Sequence, residues 1–214
     1  MNKKLAIFGN SGFAYEVADI AHAMGISDIV LLSNEDESVE SSNRLTILSE
    51  VKIDELVQEG YEFAIGIGDP LIRKKIYEKN NNLVYPNLLH PNATLGFEQK
   101  SHLDKSKGNL ITSGVVFTNN IKMGNFGIYN LNCTIGHDCI IGDYVSLMPS
   151  VNISGNVQIE DNVFVGVGAI ILQGSQDKKI TLGNNSIVGA GALVTKNVEE
   201  NVTVLGMPAK PMRK

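Results

Sequence analysis

The most regular feature of the chain is an apolar pattern that repeats every six residues between about 115 and 198. Small or apolar residues form one column of positions spaced by six, and a second apolar column follows two residues after the first. The first column is Val115, Ile121, Gly127, Cys133, Cys139, Val145, Val151, Val157, Val163 and Ala169, and the second is Phe117, Met123, Tyr129, Ile135, Ile141, Leu147, Ile153, Ile159, Val165 and Ile171. After a break at 173–179 the pattern returns one residue out of step, from Ile180 to Val198.

A fixed six-residue period predicts a parallel β-helix. Each hexapeptide supplies one short strand and one tight turn, three of them close a triangular coil, and stacked coils bury both columns. An ordinary sandwich would instead show spacings of about 8–12 residues. We expect the break at 173–179 to be a loop that projects from one coil. Polar residues suited to turns with positive φ, or to side-chain bonds to the backbone, are Asn125, Asp143, Asn156, Asp161, Asn162 and Asn184.

The first 85 residues follow a different pattern, in which short apolar runs alternate with helical spacing. The runs at 3–8, 29–32 and 63–68 predict strands, and the segments following Gly12, at 52–59 and at 70–79 predict helices, the last capped by Asp69. This alternation predicts a small Rossmann-like α/β domain over 1–85, followed by the β-helix over 86–214. Residues 37–50 are expected to be a loop with a short extended piece. Segment 87–96 is predicted to be a bridge ending in a partial repeat, and 96–108 a loop, with stacking from Asn109 onwards and two open prism ends.

Composition narrows the class of protein. Among 214 residues, 43% are hydrophobic and 19% charged, which is typical of a folded globular chain. The net charge of −5 argues against a general nucleic-acid binder. No signal peptide and no apolar run of about 20 residues is visible, so we expect a cytoplasmic protein without a membrane span. Cys133 and Cys139 should point inward on different faces, which makes a disulfide between them unexpected.

Two glycine turns follow predicted strands. One is Gly9-Asn10-Ser11-Gly12-Phe13-Ala14 and the other is Gly66-Ile67-Gly68-Asp69. Both should lie at the carboxyl edge of the sheet, where ligands of open α/β sheets bind. The first turn fits a nucleotide phosphate or sugar site, a purely structural turn, or an NAD site, but it lacks one glycine of the dinucleotide pattern. Arg73, Lys74 and Lys75 either contact phosphates or form a solvated helix face.

His137 is the only histidine within the repeat; the others are His22, His90 and His102. It follows Gly136 and precedes Asp138, which predicts a turn at a coil corner with the side chain directed outward. Histidine exchanges a proton near neutral pH. Asp138 could raise its basicity or fix its tautomer through an indirect contact. The alternative is a surface histidine beside a surface carboxylate.

These features together resemble a known family. The segments Ile135-Gly136-His137-Asp138-Cys139-Ile140-Ile141-Gly142 and Val204-Leu205-Gly206-Met207-Pro208-Ala209-Lys210 are similar to the left-handed β-helix acyltransferases. The N-terminal segments Ile7–Phe13, Ala64–Gly66 and Ile72–Tyr77 resemble the nucleotide-sugar N-acetyltransferases of bacterial glycan synthesis, of the bacillosamine and perosamine type. Sialic acid O-acetyltransferases are relatives. The resemblance implies a homotrimer that transfers an acetyl group from acetyl-CoA, without a metal, to the 4-amino group of a nucleotide-linked 4-amino-4,6-dideoxy sugar.

The resemblance also implies roles for particular residues. His137 would be the general base and Asp138 its acidic support, and neither cysteine would be a nucleophile. On the coenzyme side, the matching positions are Gly155, Val167 and Ala190, together with Ser146, where some members have a histidine that touches the coenzyme. The nucleotide-sugar crevice would include Ser11, Gly12, Gly66, Gly68 and Arg73, as well as Phe13, where many members have histidine, and Asn34 and Glu35, where the family often has paired acids.

Three other functions compete with this interpretation. A γ-type carbonic anhydrase has the same fold but needs three zinc-binding histidines, so with one repeat histidine we expect a negative metal assay. A non-catalytic nucleotide-sugar binding module would have the crevice without coenzyme affinity. O-acetylation of sialic acid or another sugar hydroxyl would use the same residues. The nucleotide carrier, UDP, GDP or dTDP, is left open by the sequence.

Overall fold

The structure, a computed structural model, describes residues 3–34 and 45–212. The N-terminal part contains strands β1 (Lys4–Phe8), β2 (Asp28–Ser33), β3 (Thr46–Ser49) and β4 (Tyr61–Ile65), helices α1 (Gly12–Ala23), α2 (Ile53–Gln58) and α3 (Pro70–Lys79), and a 3-10 turn (Glu50–Lys52). The strands form one parallel sheet in the order β3-β2-β1-β4. The predicted α/β sheet is therefore confirmed, and the short extended piece after residue 37 is β3. Residues 37–44 of that predicted loop lie outside the described residues.

Helix α3 begins where the sequence predicts. The Asp69 carboxylate accepts hydrogen bonds from the backbone N–H groups of Leu71 and Ile72, at 2.8 and 3.1 Å. Pro70 occupies the first turn, where its missing N–H costs no hydrogen bond. The position of this first turn determines which later side chains of α3 face the rest of the protein.

The C-terminal part is a left-handed parallel β-helix with one short helix, α4 (Gln99–Leu103). Its strands are β5 (Leu88–Leu89), β6 (Thr94–Leu95), β7 (Leu110–Ile111), β8 (Val116–Phe117), β9 (Lys122–Met123), β10 (Ile128–Tyr129), β11 (Thr134–Ile135), β12 (Ile140–Ile141), β13 (Ser146–Leu147), β14 (Asn152–Ile153), β15 (Val157–Ile159), β16 (Phe164–Val165), β17 (Ile170–Ile171), β18 (Ile180–Leu182), β19 (Ile187–Val188), β20 (Leu193–Val194), β21 (Thr203–Leu205) and β22 (Lys210–Pro211). The two apolar columns point inward and form one continuous core.

Three sheets form the faces of this prism. The first face stacks β5, β7, β10, β13, β16, β19, β21 and β22; the second stacks β6, β8, β11, β14, β17 and β20; the third stacks β9, β12, β15 and β18. We name the three edges by the residues they carry. The histidine edge joins the second and third faces, the aromatic edge joins the third and first faces, and the apolar edge joins the first and second faces. The histidine edge carries His137, and the aromatic edge carries Phe126 and Tyr144. The apolar edge carries Leu131, Val167 and Ala190.

The turns at the edges explain the polar residues of the repeat. Asn156 and Asn162 have left-handed backbones with φ of 57° and 58°. Along the aromatic edge, side-chain oxygens accept the backbone N–H group of a neighbouring coil. This ladder consists of Asn125, Asp143, Asp161 and Asn184. Both predicted uses of Asn and Asp are confirmed.

The break at 173–179 is a loop, as predicted, and it explains the shift of the repeat. Thr134 pairs with Asn152, 18 residues on, as in the regular coils. Val157 pairs with Ile180, which is 23 residues on. The loop therefore adds five residues to its coil, one short of a full hexapeptide, and the columns return one position out of step.

Three predictions about the start of the prism are wrong. Stacking begins at Leu88 rather than Asn109, because Leu88 already pairs with Leu110. The segment 96–108 contains helix α4, whose inward residues are Gln99 and Leu103, exposed by 0% and 2%. Leu103 joins the prism core, so this end of the prism is closed rather than open.

The α/β part packs on the first face and on the aromatic edge. Leu88, Leu110 and Ile128 of the first face lie in one apolar cluster with residues of β1 and α1. Phe126 and Tyr144 stack on each other at 5.3 Å and join a second cluster with the β4 side of the sheet. The histidine edge lies opposite the first face and is therefore remote from this contact.

Both cysteines are buried and free, as the sequence predicts. Within residues 3–34 and 45–212, none of the helices is long and apolar enough to cross a bilayer.

Candidate active site

His137 lies in the turn between β11 and β12, with its side chain 47% exposed. The next residue, Asp138, has a left-handed backbone with φ of 60°. Its carboxylate oxygen Oδ2 lies 2.7 Å from Nδ1 of His137. The predicted indirect contact is therefore a direct one between neighbours. Because Nδ1 faces a carboxylate, we assign its proton there, which leaves the lone pair on Nε2.

Gly155 lies beside His137 on the next coil. A Cβ atom at this position would lie 2.6 Å from Nε2 and 2.8 Å from Cε1 of His137. Only glycine therefore leaves space for the imidazole in this orientation. The backbone also joins the two coils here, since the N–H group of Asn156, the residue after Gly155, donates to the carbonyl of His137 at 2.9 Å. Gly155 thus provides the space that the imidazole of His137 occupies, and it lies next to Nε2.

Asp138 is held as a carboxylate. Hydrogen bonds from His137 and from Asn120, whose Nδ2 lies 2.5 Å from Oδ1, keep the pKa of Asp138 below its usual range. The carboxylate therefore stays ionised across the range in which an imidazole titrates. A negative charge therefore lies beside Nδ1 of His137.

The cysteines are poorly suited to nucleophilic attack. Burial raises the pKa of Cys133 to about 11 and also raises that of Cys139. Both thiols point into the core and donate weakly to backbone carbonyls. Since the thiolate is the reactive form, these positions favour the protonated, inert state.

The glycine turns of the α/β part meet at the carboxyl edge of its sheet. Ser11 and Gly12 are exposed at the start of α1, Phe13 is half-buried, and Asn34 is exposed at the end of β2. Ser11 does not use its side chain to cap the helix, so the hydroxyl is available to a ligand. Glu35 lies outside the described residues. The predicted crevice therefore has exposed polar groups on two of its walls.

Gly66 and Gly68 complete the crevice in different ways. Gly66 is buried, and a Cβ atom there would lie 2.7 Å from Cα of Ala14. It is therefore required for close packing of α1 on the sheet. Gly68 is half-buried and has open space where a Cβ would be.

Arg73 does not lie where either sequence interpretation puts it. It is 1% exposed, which excludes a solvated helix face, and its donors are occupied, which excludes the predicted phosphate contact. The guanidinium donates to the carbonyl groups of Ile67, Gly68, Phe126 and Tyr144, and to Oγ of Ser146. Burial lowers the pKa of Arg73 to about 9. Arg73 therefore links the crevice turn to the prism through buried hydrogen bonds.

Ser146 is a second correction. Its side chain is fully buried, and its hydroxyl donates to the carbonyl of Gly68 at 3.0 Å while accepting from Arg73. It faces the α/β part because it lies on the first face, beneath the crevice turn. The predicted position beside a coenzyme is therefore wrong for this side chain.

Val167 and Ala190 are exposed on the apolar edge. They project from the turns between β16 and β17 and between β19 and β20. His137 and Gly155 lie on the histidine edge, on the other side of the second face. The candidate base and these two candidate coenzyme positions are therefore not brought together within one chain.

No group of three or more His, Cys, Asp or Glu side chains is placed to hold a metal ion within the part of the chain that the structure describes.

Comparisons with known proteins relate both parts of the chain to acyltransferases. Residues 4–80 match the family model described as the PglD N-terminal domain, and residues 156–196 match the hexapeptide repeat of succinyl-transferase. GDP-perosamine N-acetyltransferase from Escherichia coli O157:H7 is 34% identical over 154 residues, which cover 71% of this chain and 68% of that protein.

Two solved structures have the same two-part architecture. One is the acetyltransferase domain of PglB from Neisseria gonorrhoeae FA1090 in complex with acetyl coenzyme A, with 28% identity and a TM-score of 0.86 over 99% of this chain and 100% of that one. The other is PerB from Caulobacter crescentus in complex with CoA and GDP-perosamine, with 25% identity and a TM-score of 0.83 over 98% and 97% of the two chains.

The fold, the repeat and these matches define the chain as a hexapeptide-repeat acyltransferase. It belongs to the bacterial nucleotide-sugar N-acetyltransferase family, in which a PglD-type N-terminal domain precedes a left-handed β-helix.

Proposed function

We propose that the protein transfers an acetyl group from acetyl-CoA to the 4-amino group of a nucleotide-linked 4-amino-4,6-dideoxy sugar, with His137 as general base. The observation that carries this proposal is the exposed His137–Asp138 pair, 2.7 Å apart and seated over Gly155. The names of the relatives support the reaction class, since they include N-acetyltransferases of perosamine.

The chemistry follows from the geometry of the pair. The sugar amine attacks the thioester carbonyl, a C–N bond forms, and the C–S bond breaks. Nε2 of His137 accepts the proton that the amine loses, and Asp138 stabilises the resulting imidazolium. The proton can then pass to the departing thiolate of the coenzyme. General base catalysis of this kind contributes about 10²–10⁴-fold, and holding amine and thioester together contributes the larger part.

The distribution of residues supports a site shared between chains. The histidine edge carries the base, the apolar edge carries Val167 and Ala190, and the crevice opens on the side of the first face. A prism whose histidine edge meets the apolar edge of a second prism would bring these groups together. We therefore propose a homotrimer with three equivalent sites, because three such contacts close a ring.

The acceptor is proposed to bind in the crevice at the carboxyl edge of the α/β sheet. Ser11 offers a free hydroxyl, Gly12 begins helix α1, and Asn34 offers an amide. The N-terminus of a helix favours a phosphate group. Phe13 presents an apolar surface at the same edge. Arg73 supports this crevice from behind without facing the ligand.

The test is thiol release from acetyl-CoA with a panel of acceptors: UDP-, GDP- and dTDP-linked 4-amino-4,6-dideoxy sugars and free sialic acid. We expect fast release with one amino sugar, and loss of most of that turnover in His137→Ala with the fold retained. Release with sialic acid alone would replace the proposal by O-acetylation. Release with none of the acceptors would contradict the proposed acceptor. Full activity in His137→Ala would contradict the role of His137 as the base.

A further inference from the structure

Asp138, the partner of the candidate base, is held by two residues that have no part in the reaction described above. Nδ2 of Asn120 donates to its Oδ1 at 2.5 Å, and Nζ of Lys179 donates to its backbone carbonyl at 2.5 Å. Asn120 lies on the preceding coil of the same edge. Lys179 is the last residue of the insertion at 173–179 and lies 41 positions after Asp138 in the chain.

The side chain of Asp138 needs such support because it is exposed to solvent. Its side chain is 41% exposed, and its backbone is left-handed, a conformation that costs free energy for residues other than glycine. A solvated aspartate in a turn can rotate away from its neighbour. Asn120 fixes the carboxylate oxygen that His137 does not use, and Lys179 fixes the peptide from which the side chain extends.

We propose that Asn120 and Lys179 are positioning residues that hold Asp138 against the candidate base, so that the insertion at 173–179 is a working part of the active site. The proposal rests on the proposed function, since it assigns the two residues to the same site. Both act through Asp138, and neither touches the reacting atoms.

The charges around Asp138 agree with this role. Lys122 from β9 and Lys179 from the insertion line the same small cleft as Asp138, and Cys139 also borders it. Neither lysine forms an ion pair with a carboxylate in the described ranges 3–34 and 45–212. The charge of Lys179 favours the ionised form of Asp138.

The experiment compares Asn120→Ala and Lys179→Met with two matched controls. Asn185→Ala removes an exposed asparagine whose backbone is also left-handed, with φ of 56° against 54° for Asn120, and which also bonds to the next coil. Lys178→Met removes the neighbouring lysine of the same loop. The readouts are kcat, KM for acetyl-CoA and thermal unfolding.

We expect kcat to fall about tenfold in both test variants, since each loses a hydrogen bond from a donor that orders a charged group. KM for acetyl-CoA should stay within about twofold, since the lost interaction acts on the base rather than on coenzyme binding. Both controls should keep wild-type kcat. Lys179→Arg should recover part of the loss.

Two further variants separate this proposal from a folding defect and from failure of the proposed function. Asn120→Asp is nearly isosteric and replaces a donor by a repelling carboxylate, so it should cost at least as much as Ala. In a His137→Ala background, Asn120→Ala should cause no further loss. If His137→Ala is inactive while both test variants behave like their controls, the positioning role is wrong and the base assignment stands.

Discussion

The orientation of the His137 imidazole depends on one missing atom. Gly155 has no Cβ, and the ring occupies the space where that atom would be. Its backbone φ is not in the left-handed region, so Gly155→Ala should leave the fold intact. We expect kcat to fall at least about tenfold, because the ring must move by enough to lose its contact with substrate. The melting temperature should change by only a few degrees.

A double-mutant cycle decides whether Gly155 acts through the histidine. If it does, Gly155→Ala should have no effect on the residual rate of His137→Ala. An additional loss in the double variant would show that the alanine blocks a substrate directly.

The charge of Asp138 gives a prediction about turnover. Asp138→Asn keeps the size of the side chain but removes the carboxylate that lies beside Nδ1 of His137. We expect kcat to fall by at least about tenfold, because the imidazolium formed during proton transfer loses its negative neighbour. A variant with wild-type kcat would show that Asp138 does not support the base.

The exposed position of His137 at a coil corner could be predicted from the sequence, because its neighbours in the repeat are local. Arg73 could not, although Ile76 and Tyr77 follow it at the spacing of one helix face and are partly buried. The acceptors of its guanidinium lie up to 73 positions away, on coils whose docking the sequence does not encode locally. In the sequence, Arg73 precedes two lysines and has the pattern of a surface residue. Only the tertiary structure distinguishes its buried position from that of the lysines.

At the scale of elements, α4 closes the first end of the prism through one buried amide. Oε1 of Gln99 accepts from the N–H of Ile121 at 3.0 Å, and Nε2 donates to its carbonyl at 2.8 Å. Gln99→Leu leaves both backbone groups buried without partners. We expect a loss of about 1–3 kcal/mol in the free energy of unfolding, measured by urea denaturation, with little change in activity.

His102→Ala is the control for this variant, because His102 lies on the same short helix with its side chain partly exposed. Equal stability of the Gln99 and His102 variants would contradict the capping role of Gln99.

The coils were predictable and α4 was not, for the same physical reason. A repeat reinforces its own pattern over many positions, whereas a five-residue helix directs only two side chains inward. The insertion at 173–179 was correctly predicted as a loop. Its contact with Asp138 could not be, since a loop has no period that shows which residue it approaches.

At the scale of the molecule, Arg73 joins the two parts of the chain. Arg73→Met keeps the volume but removes every donor to the crevice turn and to the aromatic edge. We expect a loss of at least about 3 kcal/mol, because several buried carbonyl groups lose their partner. Thermal unfolding should broaden or separate into two transitions as the parts uncouple. Lys75→Met on the exposed side of α3 should leave the unfolding curve unchanged, and an equal effect of the two variants would contradict the role of Arg73.

The division of the chain after residue 85 stays a prediction. It can be examined by limited proteolysis, since the segment between α3 and β5 is the only covalent link between the sheet and the prism.

The measurement that tests the two-chain site most directly is complementation between inactive variants. His137→Ala removes the candidate base from the histidine edge of a chain. Ala190→Trp places a large side chain on its apolar edge and so blocks the candidate coenzyme position. In mixed trimers, one kind of contact pairs an intact His137 with an intact Ala190. Equal co-expression of the two variants should therefore restore about a quarter of wild-type activity. Mixed trimers with no more activity than either parent would show that both edges act within one chain, and would contradict the shared site.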